Sequence, residues 1–197
     1  MKKTHDQLLK MAKAADHDQR HATVVECLNA ASIRSDGLSS SFSIRLADNL
    51  RLIGRFNEAR KILRQIGEIP ESKTWLLNVH RGQIEFDAGN FQAAAQHFEI
   101  ALKQNRDSTI PYVYLAKVYV RMQEDSKAIE ILTAGLKAEG DLDEVYLNLA
   151  YRYRACGKYR LAKEALVNAL RITPDYSEAK AALRDINSVL QMVNKAK

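Results

Sequence analysis

The chain has 197 residues, 46% of them hydrophobic, with only 8 glycines and 3 prolines. It can therefore bury a core, and its composition favours long helices over irregular loops. A net charge of +6 allows an acidic partner or a nucleic acid, but a solvated surface is the ordinary reason for such an excess. No run of about 18 apolar residues is present, so no membrane span is expected.

In chain order, the opening MKKTHDQLLKMAKAAD is basic but lacks a continuous apolar stretch, and is not read as a secretory signal. Leu8, Leu9, Met11, Ala12 and Ala15 predict one helix, and Ala22, Val24, Val25, Leu28 and Ala31, with Ile33 as a candidate end, a second. The polar DHD at 16–18 predicts the turn between them, with Asp18 as an N-cap. Residues 1–39 are expected to be a degenerate N-terminal hairpin acting as a cap. SDGLSSS at 35–41 is the clearest break, since glycine can end a helix and serine can start one.

From Ser40 onward the chain repeats. With Asp143 as position 1, small or apolar residues fall at positions 4, 7, 8 and 11: Tyr146, Leu149, Ala150 and Tyr153. Gly157 predicts a turn. Ala162, Leu166, Ala169 and Leu170 form a second stripe, and Pro174 closes the unit. The unit from Thr109 matches with Tyr112, Leu115, Ala116, Tyr119, Ala128, Leu132 and Leu136, and Pro111 in its first turn follows a capping Ser108 or Thr109. The unit from Trp75 matches with Gly82, Gly89, Phe91, Ala94, Phe98 and Ala101. The unit from Ser40 matches with Leu46, Ala47, Leu50, Gly54, Phe56, Ala59 and Leu63. Such units cannot bury their apolar faces alone, so they must stack. SEAKAALRDINSVLQMV at 177–193 predicts an amphipathic helix that covers the last stripe.

This pattern resembles the tetratricopeptide repeat family over residues 40–176, as four units (40–73, 75–108, 109–142 and 143–176) followed by a capping helix and tail at 177–197. The resemblance implies an all-α, right-handed superhelical solenoid whose first helices line a concave groove for peptides or proteins. Two units depart from it. The unit from Trp75 carries Asn78, Arg81 and Glu85 at positions 4, 7 and 11. Its first helix is therefore either rotated or apolar toward the groove. The unit from Thr109 has Gln123 for the turn glycine and Gly140 for the closing proline.

At about 100° per residue, positions 2, 5, 6, 9, 12 and 13 point away from the partner helix. The groove residues expected on this basis are Arg45, Arg51, Val79, His80, Gln83, Phe86, Tyr114, Lys117, Arg121, Asn148, Tyr151 and Arg154. Aromatic anchors beside cations are the usual material of a binding hot spot. They favour a protein or peptide partner with acidic residues. Some members of the family clamp chaperone C-terminal tails with Lys and Asn at positions 5 and 9 of one unit. The available pairs here are Ile44 with Asp48, Val79 with Gln83 and Val113 with Lys117, so that clamp is rejected.

Other chemistry finds little support. His17 and His21 stand four apart, but Asp18 replaces the glutamate of the zinc-protease pattern and no third ligand is near. No phosphate loop or nucleophile motif is present, so no enzyme activity, metal or cofactor is expected. Tyr151-Arg152-Tyr153-Arg154 interleaves rings with bases, as RNA binders do. Nucleic acid stays the second reading, behind a protein-binding adaptor, and self-association is the third. Two distant cysteines, Cys27 and Cys156, are expected to be reduced thiols of a cytoplasmic protein.

Overall fold

The computed structural model describes residues 3–33, 39–66, 70 and 73–195. Most of the expected break at 35–41 falls in 34–38, outside the described residues. Eleven helices account for nearly all of the description: α1 (His5–His17), α2 (His21–Ser32), α3 (Ser40–Leu52), α4 (Phe56–Arg64), α5 (Thr74–Asp87), α6 (Phe91–Gln104), α7 (Thr109–Arg121), α8 (Asp125–Gly135), α9 (Leu142–Ala155), α10 (Tyr159–Ile172) and α11 (Ser177–Lys195). The fold is all-α, built of helix-turn-helix repeats and closed by a C-terminal helix.

One turn, used five times, makes the hairpins. Gln19, Gly54, Gly89, Gln123 and Gly157 all take positive φ, at 55, 77, 81, 63 and 70°. The residue after each donates its N–H to the carbonyl five residues back: Arg20 to Ala15, Arg55 to Leu50, Asn90 to Glu85, Glu124 to Tyr119 and Lys158 to Tyr153, all at 2.8 Å. This double reversal satisfies the last carbonyls of the first helix and launches the second at a fixed angle. The α1–α2 hairpin thus has the same turn as the four units read from sequence. Asp18 is the C-cap of α1 rather than an N-cap, because the helix runs on to His17 and Arg20 starts α2. Its carboxylate accepts from Arg20 Nη2 at 2.9 Å. His17 and His21 therefore sit on different helices.

The chain divides into two compact units, Met1–His97 and Phe98–Lys197. In the N-terminal unit α1 packs on α2, α2 on α3, and α3 and α4 on α5. One core joins Ala12, Ala15, Val24, Val25 and Leu28 to Leu46, Ala47, Leu50, Ala59, Leu63, Leu77 and Ile84. The first hairpin thus shares its apolar face with the next repeat and is not a detached cap. Thr4 starts α1 with a capping box, Thr4 and Gln7 each accepting from the other's backbone N–H.

α5 keeps the phase of the other first helices. Asn78 and Gly82, at positions 4 and 8, are buried. Glu85 still points at α4, where it meets Arg60. The polar residues replaced apolar ones in place, and the helix did not rotate.

In the C-terminal unit α7 packs on α8 and α9, α8 on α9, α9 on α10 and α10 on α11. Ala116, Ala128, Ala150 and Ala162 are all 2% exposed or less, which lets helices cross closely. Leu132, Leu149, Leu166 and Ile186 fill the space between, each burial contributing about 1.5–3 kcal/mol. Ser108 caps α7, accepting from Ile110 N–H at 3.3 Å. Thr109 N–H donates to Glu139 O at 3.0 Å, tying the start of α7 to the end of α8. Gly140, at φ +114°, passes so close to Thr109 that a Cβ would lie 2.8 Å from its Oγ1. α11 buries Ala179, Ala182 and Ile186 as its periodicity predicts.

Candidate functional site

In the N-terminal unit the outward face of the first helices is cross-braced by ions. Arg45 Nε on α3 lies 3.1 Å from Asp16 on α1. His80 Nδ1 on α5 lies 3.0 Å from Asp48 on α3. Arg51 on α3 pairs with Asp87 on α5. Asn49 Nδ2 donates to Asp16 at 3.3 Å and contacts the His21 ring through its own Oδ1 at 2.8 Å. Arg45, Arg51 and His80 are thus brought together, but each already serves a neighbouring helix. Val79 corrects the sequence expectation: it is 3% exposed and belongs to the interior. At about 100° per residue its position borders the apolar stripe, and Val113 and Leu147, at the same position of later units, are buried too. Gln83 is half-buried. Phe86 is half-buried against Phe91, with centroids 5.7 Å apart in edge-on contact.

The C-terminal unit carries the other six predicted residues on α7 and α9. Tyr114 stacks on Phe98 with centroids 5.4 Å apart. Lys117 Nζ sits 5.2 Å from the Tyr114 centroid and 3.2 Å from Glu144 Oε1 on α9. Arg154 lies 5.5 Å from the Tyr151 centroid, and both Arg154 and Arg121 are exposed. Tyr151 Oη donates to Glu178 Oε1 on α11 at 2.7 Å. Burial, with help from this carboxylate, pushes the Tyr151 phenol up to about 12. Asn148 Nδ2 is spent on Glu144 O at 2.8 Å. Two ring–cation pairs, Tyr114 with Lys117 and Tyr151 with Arg154, thus lie on consecutive first helices of one unit.

Arg152 does not join them. Its Nη1 pairs with Asp125 on α8 at 3.0 Å, on the other side of α9. The alternating Tyr-Arg run therefore does not form one stacking-and-clamping strip. Sequence reading puts Asp48, Asp87 and Glu144 at groove-facing positions but does not pair them with the bases of neighbouring helices, and it leaves out Asp16 and Glu178. The signal was present, since acids and bases alternate between successive units at groove-facing positions. It could be read only once adjacent first helices were known to lie side by side.

Among the described residues, no group of three or more His, Cys, Asp or Glu is placed to hold a metal. No described helix is long and apolar enough to cross a membrane. Cys27 is buried and Cys156 exposed, both free. On α10 and α11, Leu161, Val167, Ile172, Met192 and Val193 are exposed.

Two family models described as tetratricopeptide repeat match the chain, at residues 85–151 and 143–176. Residues 85–176 belong to the tetratricopeptide repeat family on those matches, and the hairpins before them carry the same turn. No curated protein sequence matches it significantly. Solved structures with the same fold include the C-terminal part of a repeat-containing protein from Cytophaga hutchinsonii, with TM-score 0.71 and 15% identity, covering 94% of this chain and 72% of that one. The Cut9–Hcn1 hetero-tetramer of the APC/C matches with TM-score 0.64 and 19% identity over 92% of this chain. The chain spans only 36% of that relative's length. The first repeat domain of Spaghetti, solved with the HSP90 peptide SRMEEVD, matches with TM-score 0.56 and 19% identity, covering 61% of this chain and 95% of that one.

Proposed function

We propose that this chain is a non-enzymatic adaptor that holds an acidic segment of a partner protein on the α7–α9 face. The observation that carries the reading is the pair of ring–cation contacts there, Tyr114 with Lys117 and Tyr151 with Arg154. Rings held in place and flanked by charge can anchor an apolar side chain while the cations meet carboxylates, and such residues dominate binding energy at interfaces. The N-terminal face is a poorer candidate, because Arg45, Arg51 and His80 are all paired with Asp16, Asp87 and Asp48, whereas on the α7–α9 face Lys117 is paired with Glu144 but Arg154 makes no ion pair among the described residues. The partner differs from the HSP90 tail bound by Spaghetti, since Val113 and Lys117 stand where that kind of clamp needs Lys and Asn. Free thiols at Cys27 and Cys156 suit a reducing compartment, and we place the protein in the cytoplasm.

The test starts with affinity capture from native extract and identification by mass spectrometry, followed by titration calorimetry with the captured partner. Lys117→Glu with Arg121→Glu is expected to weaken binding by adding repulsion to lost attraction. Lys163→Glu, exposed on α10, is expected to leave it intact. Normal binding by the double variant together with loss in Lys163→Glu would move the site to the second helices. A steep fall of affinity with salt, shown instead by a bound nucleic acid, would favour the RNA reading.

A further inference from the structure

One repeat is hollow where the others are filled. At position 7 the units from Ser40, Thr109 and Asp143 carry Leu46, Leu115 and Leu149, all 3% exposed or less. The unit from Trp75 carries Arg81 there. At position 11 the others have Leu50, Tyr119 and Tyr153, and this one has Glu85. At position 23 they have Ile62, Ile131 and Ala165, and this one has His97. Arg81, Glu85 and His97 all line one cavity of about 310 Å³ between α4, α5 and the middle of α6, together with Arg60, Arg64, Leu63 and Ile84.

Among the described residues this cavity is lined by three arginines, Arg60, Arg64 and Arg81, and one carboxylate, Glu85. Arg60 grips Glu85 with both nitrogens, Nε at 2.7 Å and Nη2 at 2.8 Å, and Asn90 Nδ2 donates to the same carboxylate at 2.8 Å. Glu85 is therefore fully engaged by Arg60. Arg64 makes no ion pair among the described residues. Arg81 reaches only Leu63 O, at 3.4 Å. His97 Nδ1 is sealed from solvent and has no hydrogen-bond partner among the described residues. Burial first, and then the Arg81 charge, pushes the His97 imidazole below the ordinary histidine range. Two guanidinium groups beyond the Arg60–Glu85 pair thus line one cavity beside the His97 ring.

We propose that this cavity is a binding site for a small phosphate-bearing anion, held by Arg64 and Arg81 beside the His97 ring. Guanidinium groups match oxyanions through paired N–H donors, and two of them balance a dianion. His97 Nδ1 is closed even to a water molecule, so the ring stands in the wall and responds to the charge of the ligand without bonding it. The cavity has room for a phosphate monoester as well as free phosphate. Arg60 and Glu85 form the wall, and their bidentate pairing keeps Glu85 from repelling the ligand. The site lies within the N-terminal unit and is independent of the adaptor reading.

The experiment titrates the full chain at low ionic strength with inorganic phosphate, with phenyl phosphate and with acetate. The His97 ring resonances are followed by NMR and assigned with His97→Ile. Saturable binding of a phosphate compound is expected, with the His97 pKa rising on binding because the dianion favours imidazolium. Arg81→Leu, which restores the residue the other repeats carry, is expected to weaken binding at least about tenfold. Arg64→Ala, at an exposed position, is expected to weaken it as well, and covers the case in which Arg81→Leu misfolds. Arg171→Ala, exposed on α10 and outside the cavity, should bind like the parent. Tighter binding of phenyl phosphate than of phosphate marks an organic monoester as the source, and equal binding marks free phosphate. The proposal is overturned if neither compound shifts His97 beyond the effect of acetate at equal ionic strength. It also fails if both arginine variants bind like the parent.

Discussion

Gln123 holds a backbone shape that three other hairpins give to glycine. Its φ of 63° sits beside values of 77, 81 and 70° at Gly54, Gly89 and Gly157. A side chain in the left-handed region costs about 1–2 kcal/mol, partly offset because glycine is freer in the unfolded chain. Gln123→Gly should therefore raise stability by up to about 1 kcal/mol, read as a higher urea midpoint with unchanged slope. Gly157→Ala should lower it by about 1 kcal/mol. No atom lies within 4 Å of the added Cβ, so strain rather than a clash would be the cause. The same substitution explains what the sequence hid. Gly54, Gly89 and Gly157 make their turns visible, whereas Gln19 fills that place between α1 and α2, at φ 55°. Without its glycine the first hairpin looked degenerate, although its turn has the geometry of the rest.

The hairpins show how alanine sets helix spacing and how one repeat escapes the rule. Ala162 is fully buried. Ala162→Leu should overpack the α9–α10 crossing and cost about 1–3 kcal/mol; an unchanged urea midpoint would show that the crossing is looser than its burial implies. α5 was the element the sequence could not orient. Periodicity marked Asn78, Arg81 and Glu85 as out of place, but only Arg60 opposite Glu85 shows why the helix did not turn. That pair predicts a pH dependence. The hydrogen bond from Arg60 is the main reason the Glu85 carboxyl lies below its usual range. Its contribution is therefore present above the unfolded value of about 4.3 and is lost as pH falls through the folded value. His97 is also lowered, so the unfolded chain takes up its proton first, and stability begins to fall below about 6.5. Urea midpoints followed down the acid range should lose their earlier decline in His97→Ile and flatten at the lower end in Glu85→Gln. Profiles parallel to the parent in both variants would remove these two groups as the cause.

The described residues form two apolar cores where the sequence shows one continuous period. The repeat arithmetic found the apolar positions correctly, because a helix facing a neighbour on one side needs a stripe of fixed phase. It could not show how they group, since every unit offers the same stripe to the next. In the N-terminal unit Leu28 sits fully buried among residues of α1 to α5. In the C-terminal unit Leu166, 1% exposed, sits among residues of α7 to α11. Repeat proteins draw stability from each unit and its nearest neighbours, so damage is felt first among the helices that share the lost contact. Leu28→Ala and Leu166→Ala should each cost about 2–5 kcal/mol as cavities that the surroundings close only in part. Amide hydrogen exchange should locate the damage. Leu166→Ala is expected to lower protection first in α9, α10 and α11, and Leu28→Ala first in α1, α2 and α3. If both variants lose protection evenly along all the helices, the two clusters act as a single core and the division at His97 has no energetic meaning.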